Sequence, residues 1–228
     1  MKTVSIIIPV YNEQEFIDEL LKRVFASQIP RWKKEIIVVD DGSTDKTKQI
    51  LRPWIKKITL ITKKKNEGKG SAVSLGFLHA HGDVILIQDA DLEYNPRDYA
   101  ALLTPFDSEE INIVYGSRFL GPHMSTKFVY AQGNKFITFI TSLLYNTNVT
   151  DSETGYKVFR RSVIQDFVFS SQGFNFDQEF TAKVLKRGNR ILEVPISYFG
   201  RTFKEGKKLT WKDGVVALYT LLKYRLTD

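Results

Sequence analysis

The chain has 228 residues, of which 43% are hydrophobic and 26% charged, a composition typical of one globular domain with a buried core. It contains no cysteine, which excludes disulfides and thiolate metal sites and leads us to expect a reducing, cytoplasmic location. The formal net charge of +7 permits an anionic partner such as nucleic acid, a lipid surface or a phosphorylated substrate. No window approaches the roughly 18 apolar residues of a spanning helix, and no secretory signal is recognisable, so the sequence predicts no membrane span.

Strands and helices alternate along the first half of the chain. Strands are predicted at 4–10, 35–40, 57–62, 84–87 and 111–115. Helices are predicted after Asn12, up to about Trp54, over 68–80 and over 95–106. Asn12 and Glu15 form a capping-box-like start, and Asn95-Pro96 is an N-cap and first-turn pair. This alternation predicts an α/β fold with a mostly parallel, Rossmann-like sheet flanked by helices.

The second half is less regular. We predict a helix at 130–146, a strand at 156–160, a helix at 176–187, a strand at 190–198 and a final helix at 211–226. One face of the final helix carries Trp211, Val215, Leu218, Leu222 and Leu226. Because no linker or repeat is visible, we expect a single domain whose two halves, about 1–118 and about 119–228, share one sheet.

Three carboxylates follow the apolar run at 84–87. If the chain stays extended there, Asp89, Asp91 and Glu93 point to the same side, at the strand end where open α/β sheets bind ligands. Three oxygen donors with no cysteine or histidine beside them suit Mg²⁺ or Mn²⁺, which also holds phosphates. The alternative is that these residues cap the next helix and face water.

Familiar nucleotide and metal signatures are absent. The Gly68-x-Gly70 segment lacks the third glycine of the dinucleotide fingerprint. The glycines and lysines at 200–208 have one spacer residue too many for a phosphate loop. The histidines at 79, 81 and 123 show no metal-ligand spacing, so we interpret them as structural.

Four blocks follow successive predicted strands in order: SIIIPVYNE at 5–13, VDDGSTD at 39–45, NEGKG at 66–70 and DAD at 89–91. Together they resemble the family 2 glycosyltransferases, which have the GT-A fold. Later blocks are similar to the dolichol-phosphate mannose and dolichol-phosphate glucose synthase group: GSR at 116–118, DSETGYKVF at 151–159, FNFD at 174–177, EVPI at 193–196, and Arg201 with EGKK at 205–208. The resemblance covers nearly the whole chain.

The resemblance implies a nucleotide-sugar site in the first half and an acceptor site in the second. Pro9, Tyr11 and Glu13 would line the nucleoside pocket, Asp41 would contact the base, and Lys69 and Ala90 would lie beside the nucleotide. Asp89 and Asp91 would hold the diphosphate through the cation, with Glu93 as a further ligand where many relatives have Gln.

An acceptor that is a phosphate monoester would be held by Arg118 and Arg201 and would need no general base. Attack opposite the leaving group inverts the anomeric centre. The donor implied is GDP-mannose or UDP-glucose, and the acceptor is a polyprenyl phosphate. Asp177 occupies the position of the base in relatives that use hydroxyl acceptors. Two roles therefore stay open for Asp177: a catalytic base, or a residue that orients the sugar or Arg118.

The C-terminal region suggests contact with a membrane surface. Arg201, Lys204, Lys207, Lys208 and Lys212 form a basic cluster. The final helix adds Trp211, Tyr219 and Tyr224, so it suits either core packing or peripheral binding at a bilayer. Many relatives carry C-terminal membrane helices that this sequence lacks, which implies a catalytic domain standing alone.

Two other functions stay open. One is a family 2 glycosyltransferase whose acceptor is a hydroxyl on a glycan or glycolipid, with Asp177 as the base. The other is a non-enzymatic basic protein that binds nucleic acid or membrane. Clustered carboxylates in the expected cleft argue against nucleic acid, because they would repel a polyanion.

Overall fold

The computed structural model describes residues 1–121, 123–124, 128–200 and 211–227. Its strands are β1 (Lys2–Val10), β2 (Trp32–Asp40), β3 (Thr59–Thr62), β4 (Val84–Ile87), β5 (Ile113–Ser117), β6 (His123–Met124), β7 (Lys157–Arg160), β8 (Ile191–Pro195) and β9 (Tyr198–Phe199). Within these ranges, seven strands form one sheet in the order β3-β2-β1-β4-β7-β5-β8, and β6 pairs with β9. Strand β7 is antiparallel to both of its neighbours, whereas the other pairs of the large sheet are parallel.

The α-helices are α1 (Ile17–Ala26), α2 (Thr47–Leu51), α3 (Lys69–Phe77), α4 (Tyr99–Leu103), α5 (Phe128–Tyr145), α6 (Phe176–Lys186) and α7 (Trp211–Leu226). Short 3₁₀ turns occupy Arg52–Trp54, Pro96–Asp98, Thr104–Asp107 and Arg161–Ile164. The helices cover both faces of the sheet, as the alternating sequence pattern predicts.

Alternation of side chains along β1 divides the core into two layers. Ile6 and Ile8 point into a cluster that includes residues of α1, α2 and α4. Ile7 points to the other face, where it packs with residues of α3 and α6. Strand β4, next to β1, is buried along its whole length, which confirms the prediction of a central strand at 84–87.

The structure corrects the predicted start of α1 and the predicted strand at 190–198. Asn12 does not cap α1, which begins at Ile17. Asn12 instead adopts φ +52°, and its side-chain oxygen accepts a hydrogen bond from the Thr44 amide at 2.8 Å, linking the loops after β1 and β2. The predicted strand at 190–198 is divided into β8 and β9, because the Ser197 amide turns to Asp98 Oδ2 at 2.8 Å.

Helices α5 and α7 pack against each other through Ile137, Ala217 and Leu221. The apolar face predicted for α7 is not its core face, since Val215, Leu222 and Leu226 are exposed. No described helix is both long and apolar enough to cross a bilayer.

Exposed apolar side chains lie on both α5 and α7, and we name this set of residues the apolar platform. Its members are between 49% and 84% exposed: Phe136, Phe139, Leu143, Val215, Tyr219, Leu222 and Leu226. They lie on the sides of the two helices that point away from the residues packed between the helices and on the sheet.

Candidate active site

A pocket of about 490 Å³ opens where β1, β2 and β4 end. Its lining contains every predicted site residue that the structure describes: Pro9, Tyr11, Glu13, Asp41, Lys69, Asp89, Ala90, Asp91, Glu93, Arg118 and Asp177. Arg201 and most of the predicted basic cluster lie outside the described residues. Carboxyl ends of parallel strands bring residues that are far apart in sequence to one edge of the sheet, which is why these side chains meet.

The Gln88 side chain stabilises the backbone just after the end of β4. This fully buried side chain accepts hydrogen bonds from the hydroxyls of Tyr99 and Tyr156, each at 2.7 Å, and donates to the Asp89 carbonyl at 2.8 Å. Gln88 was not among the predicted site residues, although a polar residue directly after a buried apolar strand is a signal that could have identified it.

The chain turns after Asp89 instead of staying extended. Leu92 has φ +60°, and the Asp91 carboxylate accepts from the Glu93 amide at 3.1 Å. Glu93 in turn accepts from the Tyr198 hydroxyl at 2.7 Å. Among the described residues, no three acidic or histidine side chains converge on a point that could hold a metal. The predicted cluster of three carboxylates is therefore not preassembled, although all three line the pocket.

Lys69, the first residue of α3, lies between two pocket carboxylates. Its Nζ is 2.8 Å from Asp89 Oδ1 and 3.4 Å from Asp177 Oδ2. Burial alone would lower the pKa of Lys69, but the coulombic effect of Asp177 and Asp89 raises it above the ordinary value. Lys69 therefore stays protonated and positively charged in the pocket at neutral pH.

Asp177, at the start of α6, is held by two ammonium groups. In addition to Lys69, the fully buried Lys157 of β7 lies 2.8 Å from Asp177 Oδ1. Burial would raise the pKa of Asp177, but Lys157 and Lys69 lower it below its usual range. Lys157 also donates to the carbonyls of Ser152 and Thr154. Lys157 could have been noticed in the sequence as a lysine at the start of a buried strand. It lies in the block at 151–159 that resembles the family, but no role was predicted for it.

Arg118 makes a bidentate ion pair with the fully buried Asp151. Its Nε and Nη2 donate to the two Asp151 oxygens at 2.7 Å each, and its guanidinium lies 5.1 Å from the centre of the Tyr198 ring. A planar guanidinium held on one edge keeps a defined orientation at the pocket wall.

Asp41 supports the glycine-rich turn that begins α3. Its carboxylate accepts from the Gly68 amide at 2.7 Å and from Lys63 Nζ at 2.7 Å. Gly68 has φ +99°, and a Cβ there would contact the Gln172 carbonyl at 2.5 Å. Lys63 therefore helps to hold the Asp41 carboxylate that supports this turn. The predicted contact of Asp41 with a base stays a prediction.

Glu153 and Gln178 also line the pocket and were not predicted. Gln178 Nε2 donates to Glu153 at 2.6 Å, and burial raises the pKa of Glu153. His79 and His81 lie away from the pocket, against the Leu75 carbonyl and Glu35. The side chain of His123 lies outside the described residues.

The donor set fits a hard divalent cation in part. Asp89 and Asp91 both line the pocket and supply carboxylate oxygens, and Asp89 already binds a positive charge, the Lys69 ammonium. Mg²⁺ and Mn²⁺ sites in phosphate-binding proteins commonly use one or two carboxylates and complete their shell with phosphate oxygens and water.

Comparison with known proteins places these features in a family. Residues 5–168 match the sequence profile of glycosyl transferase family 2. Dolichol-phosphate mannosyltransferase of Pyrococcus furiosus is 30% identical over 210 residues, covering 90% of this chain and 58% of that protein. Undecaprenyl-phosphate 4-deoxy-4-formamido-L-arabinose transferase of Edwardsiella ictaluri is 27% identical over 211 residues, covering 90% of this chain and 62% of that protein. The chain thus spans about three fifths of the length of these two relatives.

Solved structures confirm the fold. Glucosyl-3-phosphoglycerate synthase from Mycobacterium tuberculosis, in complex with Mn²⁺, UDP and glucosyl-3-phosphoglycerate, superposes with a TM-score of 0.77 at 18% identity. The match covers 100% of this chain and 81% of that one. The mostly parallel, helix-flanked sheet is the GT-A fold, as the resemblance implied, and this chain belongs to glycosyl transferase family 2.

Proposed function

We propose that this chain is an inverting, metal-dependent hexosyltransferase that moves a hexose from a nucleoside-diphosphate sugar to a polyprenyl phosphate. The main observation in support is that the Asp177 carboxylate lies between two ammonium groups, 2.8 Å from Lys157 Nζ and 3.4 Å from Lys69 Nζ. A carboxylate held by two ammonium groups is a weak general base. A phosphate monoester is already anionic at neutral pH and needs none, whereas a hydroxyl acceptor does.

The donor would lie along the first half of the chain, at about 1–118. Pro9, Tyr11, Glu13 and Asp41 line the part of the pocket next to the ends of β1 and β2, which suits the nucleoside. The diphosphate would lie between Lys69 and the carboxylates after β4, beside Ala90. Lysine provides a point charge for phosphate oxygens.

Asp89 and Asp91 are the residues that would hold Mg²⁺ or Mn²⁺, with Glu93 a more distant participant because Tyr198 engages it. When bound, the cation would act as a Lewis acid that stabilises negative charge on the departing diphosphate. The Mycobacterium tuberculosis synthase of the same fold was solved with Mn²⁺ and UDP-glucose, which supports the cation and a nucleotide sugar as ligands.

The acceptor phosphate would be held by the second half of the chain, at about 119–228, together with Arg118; Arg201 is proposed as a second phosphate ligand. A phosphate oxygen attacks the anomeric carbon from the side opposite the diphosphate. The new C–O bond forms as the bond to the diphosphate oxygen breaks, so an α-linked donor gives a β-linked lipid-phosphate hexose. Asp151 keeps the Arg118 guanidinium in place for this in-line arrangement.

We further propose that the protein binds peripherally to a membrane. Asn134 of α5 and Val216 of α7 line the pocket, so the apolar platform lies on the helices that border the pocket. A lipid phosphate whose chain stays in the bilayer could then reach Arg118. The two relatives named for dolichol-phosphate and undecaprenyl-phosphate support a polyprenyl acceptor.

One observation favours a second candidate, a glycosyltransferase with a hydroxyl acceptor. Glu153 lines the pocket, its described hydrogen-bond partners are Gln178 and Ser152, and burial raises its pKa, whereas Asp177 is held by two ammonium groups. In that case Glu153, and not Asp177, would remove the proton.

A donor screen tests the proposal. The protein is incubated with GDP-mannose or UDP-glucose and Mn²⁺ or Mg²⁺, with and without a polyprenyl phosphate, and lipid-linked hexose is measured by mass spectrometry. We expect cation-dependent transfer to the lipid phosphate from one donor. Transfer to neither lipid phosphate nor water from any donor would contradict the proposal.

Two variants separate the acceptor classes. With a phosphate acceptor, Asp177→Asn and Glu153→Gln should keep measurable turnover and an unchanged acidic limb of the pH profile. A hydroxyl acceptor would be favoured if either variant lost nearly all turnover and its remaining activity no longer showed the acidic limb of the pH profile.

A further inference from the structure

The Lys69 ammonium contacts the Asp89 carboxylate, which is also the proposed ligand of the divalent cation. Its Nζ is 2.8 Å from Asp89 Oδ1 and 3.1 Å from Asp89 Oδ2, so it engages both oxygens of that carboxylate. Both side chains are largely buried, with 13% and 20% exposed. A cation that binds Asp89 must therefore either displace the ammonium or lie beside it.

Sharing Asp89 between two cations is unfavourable. Like charges a few ångströms apart in a partly buried site repel each other by about 4 kcal/mol per unit pair at an effective dielectric constant near 20. Displacing Lys69 costs less, because its other neighbour does not depend on it: Asp177 keeps the buried Lys157 at 2.8 Å. Lys69 has a flexible stem, so its ammonium can swing while both carboxylates stay in place.

Both carboxylates also have neighbours other than Lys69: Asp177 has Lys157, and the surroundings of Asp89 restrict its movement. The Asp89 backbone is held by Gln88, and its side chain lies against Gly155, where a Cβ would collide with Oδ2. Lys69 is therefore the one member of this charge cluster whose described contacts leave it able to exchange partners.

We propose that Lys69 couples cation binding to nucleotide binding in this site. In the free protein it competes with the cation for Asp89. When a nucleoside diphosphate binds, Lys69 turns to the phosphate oxygens and releases Asp89 to the cation. The inference rests on the proposed function, because it takes Asp89 as a cation ligand and the diphosphate as a neighbour of Lys69.

Coupling of this kind is reciprocal. If nucleotide raises the affinity for the cation by a given factor, the cation raises the affinity for nucleotide by the same factor. Removing the Lys69 charge should therefore have two opposite effects. The cation alone should bind more tightly, and the enhancement that nucleotide provides should shrink.

The test measures Mn²⁺ binding directly, by electron paramagnetic resonance of the free ion, with and without GDP or UDP. Three variants are compared with the wild type: Lys69→Met removes the charge, Lys69→Arg keeps it, and Lys64→Met removes a charge from an exposed lysine of the neighbouring loop. Circular dichroism establishes that each variant is folded.

In Lys69→Met we expect Mn²⁺ alone to bind about fivefold or more tightly than in the wild type, with the nucleotide enhancement reduced, in line with typical coupling factors of about 5 to 150. Lys64→Met should match the wild type, and Lys69→Arg should retain most of the coupling. If Lys69→Met does not fold, the Lys69→Arg variant decides. Loss of the nucleotide enhancement in Lys69→Arg, with no gain in the affinity of that variant for Mn²⁺ alone, would overturn the proposal.

Failure of the inference is distinguishable from failure of the proposed function. A wild-type protein that binds neither Mn²⁺ nor a nucleotide contradicts both. A wild type that binds both, with Lys69→Met showing the same or weaker affinity for Mn²⁺ alone, overturns the role of Lys69 and leaves the glycosyltransferase proposal intact.

Discussion

Lys157 Nζ lies 2.8 Å from Asp177 Oδ1, and the lysine side chain has no exposure to solvent. The pair joins strand β7 to the first turn of α6 at the pocket wall. Because Lys157 also binds the Ser152 and Thr154 carbonyls, one ammonium group fixes both a pocket carboxylate and the loop that precedes β7. A buried charge that is fully hydrogen-bonded in this way is costly to disrupt from one side.

Lys157→Met should lower the free energy of unfolding by about 3–5 kcal/mol, since it leaves buried polar groups without their shared donor. Urea unfolding monitored by circular dichroism measures the change. In the double variant with Asp177→Asn, the loss should be smaller than the sum of the two single losses, because the pair is removed together. A single-variant loss under about 1 kcal/mol would show that the pair does not stabilise the fold.

Gly155→Ala should disturb Asp89 directly. A Cβ at Gly155 would collide with Asp89 Oδ2 and lie 2.9 Å from Tyr94 Cε2. Overpacking of this kind costs about 1–3 kcal/mol, and we expect about tenfold weaker Mn²⁺ and nucleotide binding by calorimetry as Asp89 shifts. Gly133→Ala on α5, with no neighbour within 4 Å, is the matched control and should bind as the wild type does. Unchanged binding in Gly155→Ala would mean that Asp89 is not a ligand.

Glu179 should make stability depend on pH in the acid range. Its buried carboxylate accepts from the Ser171 amide at 2.6 Å and from Lys183 at 2.7 Å. Burial would raise the pKa of Glu179, but these hydrogen bonds lower it below the ordinary 4.5. Its contribution to stability is therefore present above pH 4.5 and is lost as the pH falls through the lowered folded-state pKa.

Glu179→Gln should accordingly unfold at a lower urea concentration than the wild type at pH 7, with the difference narrowing as the pH falls below 4.5. The exposed Glu109→Gln is the control and should show no such difference. A gap of constant size across this pH range would contradict the assignment of the effect to ionised Glu179.

The apolar platform should be required for membrane binding. Phe139→Asp with Leu222→Asp places charges on its α5 and α7 sides, so flotation with vesicles of anionic and neutral lipid should fall at least tenfold, while nucleotide binding stays unchanged. Leu78→Asp is the control, since Leu78 is 80% exposed just after the end of α3 and is not part of the platform. Equal flotation of the platform and control variants would exclude this surface as the contact.

The sequence by itself determined the α/β architecture, the central strand at 84–87 and part of the set of residues that lines the pocket. Apolar runs and their spacing report burial locally, and strand ends of a parallel sheet must meet at one edge. These are properties of short segments, so Asp89 and Asp91 could be placed at a strand end without knowledge of long-range packing, whereas the residues within 5–13 were assigned through the family resemblance.

The tertiary structure alone decided which charges pair and which helix face is covered. Lys69 and Asp177 are 108 positions apart, and their contact depends on how α3 and α6 pack on one face of the sheet. On α7, periodicity finds an apolar stripe but cannot tell whether a core, a neighbouring helix or a membrane covers it; packing on α5 buries Ala217 and Leu221 and leaves Val215 and Leu222 outside. The antiparallel insertion of β7 is equally invisible locally, because strand direction is fixed by the path of the chain and not by the composition of the strand.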